Sequence, residues 1–348
     1  MQGIRRKREK RITITEVAER AGVSIKTVSR VLNRESNVST AMRDKVISAA
    51  EALNYAPHIS ARRLAARRSF IIALLYHDDD VNHYIPDIQH GALDVCRERG
   101  YNMLLHPCVG GIDDAVSEVR DLARHALIDG LIVTPPLADS RKLLTEIVEI
   151  GEPFVRVSQR YRGELSPSIS IGDRTGAYTM TNHLSSLGHK RIGFIVGPED
   201  QGSSIDRLQG FRDAVRDFGL ATTDAWISRG DFTFEAGVRC ATAILSAKVR
   251  PTAIFASNDD MAAGALLVAH RHGYDVPGDL SIVGFDDIPM SQRLWPPLTT
   301  MRQPTKRAAR AATEMLLNCL DTGDLTPANQ ELEAELVVRE STGPPREP

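Results

Sequence analysis

Two hydrophobic rhythms run along the chain. Between Ile12 and Asn33, ITITEVAERAGVSIKTVSRVLN, apolar positions recur at helical spacing on either side of a glycine. A first helix is expected from Thr13, whose hydroxyl can accept from the Glu16 N–H while Glu16 reaches back, which makes a capping box. Gly22 supplies the positive φ of a tight turn, and Ser24 can cap a second helix. At 100° per residue counted from Ile25, Val28, Val31 and Leu32 fall on one arc, whereas Lys26, Ser29, Arg30 and Asn33 fall on the other. A third helix is expected from Ser39 to about Leu53, with Val46, Ile47, Ala50 and Leu53 inward. From Phe70 the rhythm changes to short apolar strands alternating with amphipathic helices. Strands are predicted at Ile71–Tyr76, Asn102–His106, Gly130–Val133, Phe154–Val157, Ile192–Val196, Ala253–Ala256 and Ser281–Phe285. Helices are predicted at Asp87–Arg99, Ala115–Ala126, Asp206–Phe218 and Asp259–His272. Gly100, Gly151, Gly188, Gly219 and Gly273 punctuate helix ends.

That pattern predicts a small all-α helix-turn-helix domain followed by an α/β core of two doubly wound parallel-sheet subdomains. The expected division is a disordered basic tail over 1–10, the helix-turn-helix domain over 11–57, a hinge over 58–69 and the core over 70–340. Within the core, one subdomain takes about 70–171 and 301–330, the other about 172–300 and 331–340. A flexible tail follows over 341–348.

Charge sharpens this picture. The whole chain of 348 residues has a net charge of −2. Residues 1–68 hold 16 Lys and Arg against 6 Asp and Glu, and the rest hold 27 against 39. A basic head on an acidic body is expected where only the head meets a polyanion. On the second helix Arg30 suits guanine O6 and N7, Lys26 suits guanine or phosphate, and Ile25 suits a thymine methyl. Ser24 and the N–H groups it precedes suit a phosphate. Thr13, Thr27, Ser29 and Asn33 complete the candidate DNA-facing set. The segment carrying Arg62, Arg63, Arg67 and Arg68 is marginal as a lone helix and attracted to phosphate.

Cys96, Cys108, Cys240 and Cys319 lie far apart without CxxC spacing and read as reduced buried thiols, neither a disulfide framework nor a zinc site. The ten histidines show no ligand spacing, and no metal or cofactor is expected. The N-terminal residues are too charged for a signal peptide, and the apolar run from Phe70 is too short for a membrane span. The expected setting is the bacterial cytoplasm, with the protein on the nucleoid when bound to DNA. No GxGxxG follows the first strand, and GxxxxGK[ST], GxSxG and HExxH are absent, so an enzyme is not expected.

The strings AGVSIKTVSRVLN, VSTAMRDKV, LNYAP and ARRLAARRS resemble the LacI/GalR family of bacterial transcription regulators. The resemblance runs to about Arg339 and implies a periplasmic-binding-protein-like core with crossings near Ile171, near Thr300 and late in the chain. It implies that Ile25, Lys26 and Arg30 read bases in the major groove. It also implies a hinge helix over Ser60–Ala66, where Leu64, flanked by Arg62 and Ala65, enters the minor groove of a palindrome. The family usually has Asn where His58 stands. In GPEDQGSSIDRLQGF, Ser203 and Arg207 match effector contacts; so do Asp286 in VGFDD, Phe232, Asn258, Gln303 and Tyr84. An Arg and an Asp facing each other across a cleft suit a vicinal diol. Many relatives carry an Asp where Ser158 stands, and Gln201 replaces Ser or Arg. Arg156, two residues before Ser158 on a strand, is expected on the same side and would favour a more anionic ligand. A saccharide is the first expectation for the effector, a sugar acid or phosphate the second. The predicted whole is a homodimeric repressor of palindromic double-stranded DNA. The alternative is a ligand-binding module or sugar-processing enzyme with a non-specific DNA anchor. The tail STGPPREP is too short and proline-rich for a tetramerising coiled coil.

Overall fold

The structure is a computed structural model. It describes residues 12–346 except 33–37, 54, 56–67, 78–83, 126–127, 160–164, 325 and 327. Asn33, Arg62, Leu64 and Ala65, and nearly all of the expected hinge, lie outside the described residues. The chain divides into two compact units, Met1–Ser69 and Phe70–Pro348.

The first unit holds α1 (Ile14–Ala21), α2 (Ile25–Leu32) and α3 (Thr40–Ala52). Its core joins Val17, Ala18, Val28, Val31, Val46, Ala49 and Ala50. Ile47 is a correction: it is 41% exposed, and Ala49 takes the inward place. The buried stripe of α3 runs 46, 49, 50, 53, which is the i, i+3, i+4, i+7 face of a helix; Ile47 stands one residue, about 100°, off it.

In the second unit β1 (Ile71–His77), β2 (Asn102–Cys108), β3 (Gly130–Val133), β4 (Phe154–Val157) and β5 (Ser168–Ile171) join β11 (Asn329–Leu332) in a parallel sheet of order β11-β5-β4-β3-β1-β2. Both faces are covered, so β1 is apolar on successive residues. Ile72 and Leu74 enter one cluster with α4 (Tyr84–Arg99) and α11 (Thr305–Thr322), while Ala73 and Leu75 enter another with α5 (Ile112–Arg124) and α6 (Arg141–Ile150). The second sheet has the order β7-β6-β8-β9, from β6 (Ile192–Val196), β7 (Ile227–Arg229), β8 (Ala253–Ala256) and β9 (Ser281–Val283), again all parallel. On one side lie α9 (Phe234–Leu245) and α10 (Asp259–Arg271), on the other α7 (Asp173–Ser186) and α8 (Gly202–Asp217). Phe194 stacks on Phe211 at 4.7 Å and meets Phe255 edge-on at 5.0 Å.

The chain passes between the sheets at Gly172, after β10 (Thr300–Arg302), and after Leu332, beyond which β12 (Glu335–Val337) pairs antiparallel with β10. Residues 341–346 are not the loose tail expected from their composition. The Ser341 hydroxyl donates to the Ile282 carbonyl at 2.6 Å, the Gly343 N–H donates to Ser281 Oγ at 3.1 Å, and Arg346 pairs with Asp275 and Asp279. These partners lie in the β9 region, and a proline-rich segment can run along a sheet end by lending its few donors there. No described helix is long and apolar enough to cross a membrane.

Helices α7 and α8 approach closely at Gly210, where a Cβ would stand 2.1 Å from the Arg174 carbonyl oxygen. Gly210→Ala is therefore expected to lower stability by about 1–3 kcal/mol, the cost of overpacking. The urea midpoint of the purified protein checks this, and an unchanged midpoint would refute the packing argument.

Candidate functional site

Parallel sheets present the C-terminal ends of their strands, and the N-termini of the helices that follow, to one edge. Here both sheets turn that edge to a shared cavity of about 370 Å³. Tyr84 and Asp87 come from the first turn of α4 and Ser158 from the end of β4. Asp173 opens α7, Ser203 lies in the first turn of α8, Asn258 caps α10, and Asp286 follows β9. Gln303 stands at a crossing between the subdomains. Eight of the nine effector candidates thus line one cavity: Tyr84, Ser158, Ser203, Arg207, Phe232, Asn258, Asp286 and Gln303.

Arg156 is the exception. It is buried away from the cavity, and its Nε donates to Ser166 Oγ at 3.0 Å. The strand expectation fails because Ser158 has φ 54°, which breaks the alternation that would put residues 156 and 158 on one side. The relation between Arg207 and Asp286 also needs correction. They do not face each other across the cleft but stand side by side on one wall, with Arg207 Nη1 donating to Asp286 Oδ1 at 3.5 Å.

Arg207 is almost fully buried, and its donors are widely engaged. Nε donates to Asp173 Oδ1 at 2.7 Å, Nη1 donates to the Ser257 carbonyl, and the guanidinium carbon lies 3.9 Å from the centre of the Phe285 ring. Gln303 Nε2 donates to Asp286 Oδ1. Burial raises Asp286 above the usual carboxylate range, Arg207 draws it back, and neighbouring Asp259 pushes it further up. Asp173 is likewise raised by burial and eased down by Arg207. Tyr84 donates to Ser158 Oγ at 3.0 Å, and burial holds its hydroxyl far above its ordinary value.

Local strain collects here. Ser158, Phe232, Asp286 and Asp287 all have positive φ, at 54°, 68°, 133° and 59°, and all line the cavity. Such conformations cost about 1–3 kcal/mol each and persist where surroundings over-determine them. The surroundings are visible. Asp286 N–H donates to the Met301 carbonyl at 2.8 Å, and Asp287 accepts from Arg302 and Arg339. Asp259 Oδ2 accepts from Ile288 N–H at 3.0 Å. Asn258 donates from Nδ2 to the Phe232 carbonyl at 2.8 Å and accepts from Met261 N–H at 2.9 Å. Its amide therefore holds Phe232 in place and caps α10. The sequence reading missed Asp173, Asp260 and Asp287. Asp173 was findable, because it opens a helix directly after a parallel strand; β5 was overlooked because SISI is serine-rich although buried.

In the first unit Glu16 Oε2 accepts from both the N–H of Thr13 at 2.6 Å and its hydroxyl at 3.1 Å. Gly22 has φ 65°, and Ser24 Oγ accepts from Thr27 N–H at 3.1 Å. Val28 and Val31 are buried, while Ile25, Lys26 and Arg30 are exposed on the other face; Thr27 and Ser29 are half-buried. An Ile 47% exposed at the start of a capped helix, beside two bases, forms an apolar and cationic face without internal use for the isoleucine.

Comparison with known proteins decides the identity of this arrangement. Residues 13–58 match the model of bacterial regulatory proteins, lacI family, and residues 181–342 match a periplasmic binding protein-like domain. The chain is 35% identical over 340 residues to the HTH-type transcriptional repressor CytR of Escherichia coli, covering 97% of this chain and 98% of that one. It is 33% identical over 329 residues to the HTH-type transcriptional repressor PurR of Photobacterium profundum, covering 94% and 98%. It belongs to the LacI family. Among solved structures, the lac repressor dimer bound to operator and the anti-inducer ONPF superposes with TM-score 0.77 at 28% identity, covering 96% of this chain and all of that one. The regulator CelR in complex with cellobiose gives TM-score 0.74 at 30% identity, covering 95% and 100%. This LacI-family chain is a DNA-binding transcriptional repressor and not an enzyme.

Asp286 gives a pH signature. A carboxyl whose folded pKa is raised binds its proton more tightly folded than unfolded. Its contribution to stability is full below the ordinary carboxylate pKa and is lost as pH rises through the elevated value. Relative to the ligand-free wild type, Asp286→Asn should therefore gain thermal stability steadily from acid toward neutral pH. Parallel melting profiles over that range would contradict the assignment.

Proposed function

We propose that this LacI-family repressor is controlled by a neutral polyhydroxylated effector, a saccharide, bound in the cavity between the two sheets. The observation that carries this is the balance of charge. Among the described lining residues five are aspartates, Asp87, Asp173, Asp260, Asp286 and Asp287, and the one base is Arg207, already engaged by Asp173 and Asp286. A phosphate or sugar acid would find no uncommitted base among these residues, and Arg156, which favoured such a ligand on sequence, is buried away from the cavity. Adjacent Asp286 and Arg207 can accept from one hydroxyl and donate to the next, which fits a vicinal diol. Phe232 offers a ring face, and the volume lies at the lower end of the range of small-molecule pockets. The relative solved with cellobiose supports the same class.

On this reading the protein is a homodimer, in keeping with the operator-bound lac repressor dimer, and its two-fold axis matches a palindrome. Ile25, Lys26 and Arg30 read the half-site, with Thr13, Ser24, Thr27, Ser29 and Asn33 beside them at phosphates and base edges. Arg62, Leu64 and Ala65, within the stretch that the resemblance makes a hinge, meet the minor groove on the same reading. Effector and operator then influence each other by one reciprocal coupling free energy.

Two measurements test this. Neutral sugars should raise the melting temperature in a thermal-shift screen, sugar acids and sugar phosphates should not, and Phe232→Ala should weaken the best sugar by about 1 kcal/mol or more. The reverse selectivity would refute the saccharide. Arg30→Ala should cost about 1–3 kcal/mol for operator DNA and relax discrimination at one base position. A loss equal on all sequences would mean that Arg30 meets only phosphate.

A further inference from the structure

Away from the cleft, three donor side chains converge on the outer edge of the six-stranded sheet. His106 and Cys108 stand two apart on β2, so both leave the same face of the strand. That face packs on α5, which brings Glu118. His106 Nε2 lies 2.7 Å from Glu118 Oε2, and the imidazole nitrogen, thiol sulfur and carboxylate oxygen all lie within 4.8 Å of one another. Cys108 is buried at the floor, while the His106 and Glu118 side chains are 23% and 32% exposed, so the cluster opens to solvent at its outer side. The cleft makes no use of these residues.

We infer that His106, Cys108 and Glu118 form a binding site for one divalent transition-metal ion of zinc type, with water at the fourth position. The donor set selects the ion. Nitrogen, sulfur and oxygen together suit zinc or cobalt, whereas calcium and magnesium take oxygen alone. Bonds of about 2.0–2.3 Å to a tetrahedral ion place its ligand atoms roughly 3.5 Å apart. The cluster has to draw in by about 1 Å at its widest and open slightly between His106 and Glu118, within the reach of side-chain torsions. Neutral imidazole, thiolate and carboxylate against a divalent cation leave the site uncharged, which removes the main cost of placing an ion at the rim of a core. His77, in register with Cys108 on β1, has Nε2 3.3 Å from the Gly110 carbonyl oxygen and is occupied there. Binding displaces the thiol proton to solvent, the imidazole coordinates as the neutral ring with its proton on the nitrogen that does not bind, and no electron is transferred.

The test is a cobalt titration of the full-length protein after chelator treatment. One equivalent should bind per chain, with a thiolate-to-cobalt charge-transfer band in the near ultraviolet and visible bands of four-coordinate intensity; zinc should abolish both. Cys108→Ser should remove the charge-transfer band, while Cys96→Ser and Cys240→Ser retain it. His106→Ala and Glu118→Gln should each weaken cobalt by about 10-fold or more. His106 is partly exposed, so His106→Ala guards against Cys108→Ser failing to fold; melting without metal verifies both. Absence of the thiolate band in the wild type, its survival in Cys108→Ser, or unchanged affinity in His106→Ala would overturn the inference.

Discussion

Arg207 carries a guanidinium that is charged at any working pH, and it is buried. Such a group demands partners, and those partners give the cleft its shape. Asp173 enters from the start of α7, the Ser257 carbonyl from the end of β8, and Asp286 from the loop after β9. Phe285 supplies an aromatic face under the cation. Removing one partner of a buried pair costs about 3–5 kcal/mol, because the other charge is left uncompensated. Arg207 therefore organises the wall as much as it presents donors, and a change there would disturb folding and binding together.

The same constraint accounts for the strained backbone. Asp286 at φ 133° and Asp287 at φ 59° turn two consecutive carboxylates in different directions, one toward Arg207 and the cavity, the other toward Arg302 and Arg339. A regular continuation of β9 would have sent alternate side chains into the two helix layers. Phe232 is held at φ 68° by Asn258, and Asn258 is fixed as the cap of α10. The strain is thus tied to secondary-structure termini, the parts of a parallel sheet whose backbone groups have spare capacity.

Periodicity revealed what depends on periodicity. The apolar runs of β1, β3, β4, β6 and β8 and the helix-ending glycines were readable because burial on both faces and positive φ leave few residue choices. Strands β10, β11 and β12 were not readable. Each is three or four residues long and paired with partners distant in sequence, and β11 and β12 are also largely exposed, so their own composition carries little signal. At the cleft, spacing placed the candidate residues, but handedness and direction came only with the backbone. Arg156 was misjudged because the positive φ of Ser158 has no mark in the sequence. Asp286 was set facing Arg207 across the cleft although the expected boundaries put both in one subdomain; the turn that sets its carboxylate beside Arg207, at φ 133°, has no mark in the sequence. The His106, Cys108 and Glu118 cluster was invisible for a related reason: two donors on a strand become three only when α5 folds back over it.

The cleft residues also sit where the two subdomains are joined. Asp173 follows Gly172 at the first crossing, and Gln303 stands at the second while donating to Asp286. A ligand that engages Asp286 and Arg207 therefore touches groups whose neighbours are the connections between the sheets. Tyr84 and Ser158, bonded to each other on the opposite wall, belong to the first subdomain alone. A ligand can shift an equilibrium between open and closed arrangements only by the contacts it makes in one and not in the other. Contacts to Arg207 and Asp286 are available in either arrangement, since both lie on one wall. On the proposed reading, the contacts that discriminate are those that add Tyr84 and Ser158, and the switch is governed by the wall that carries the fewest charges.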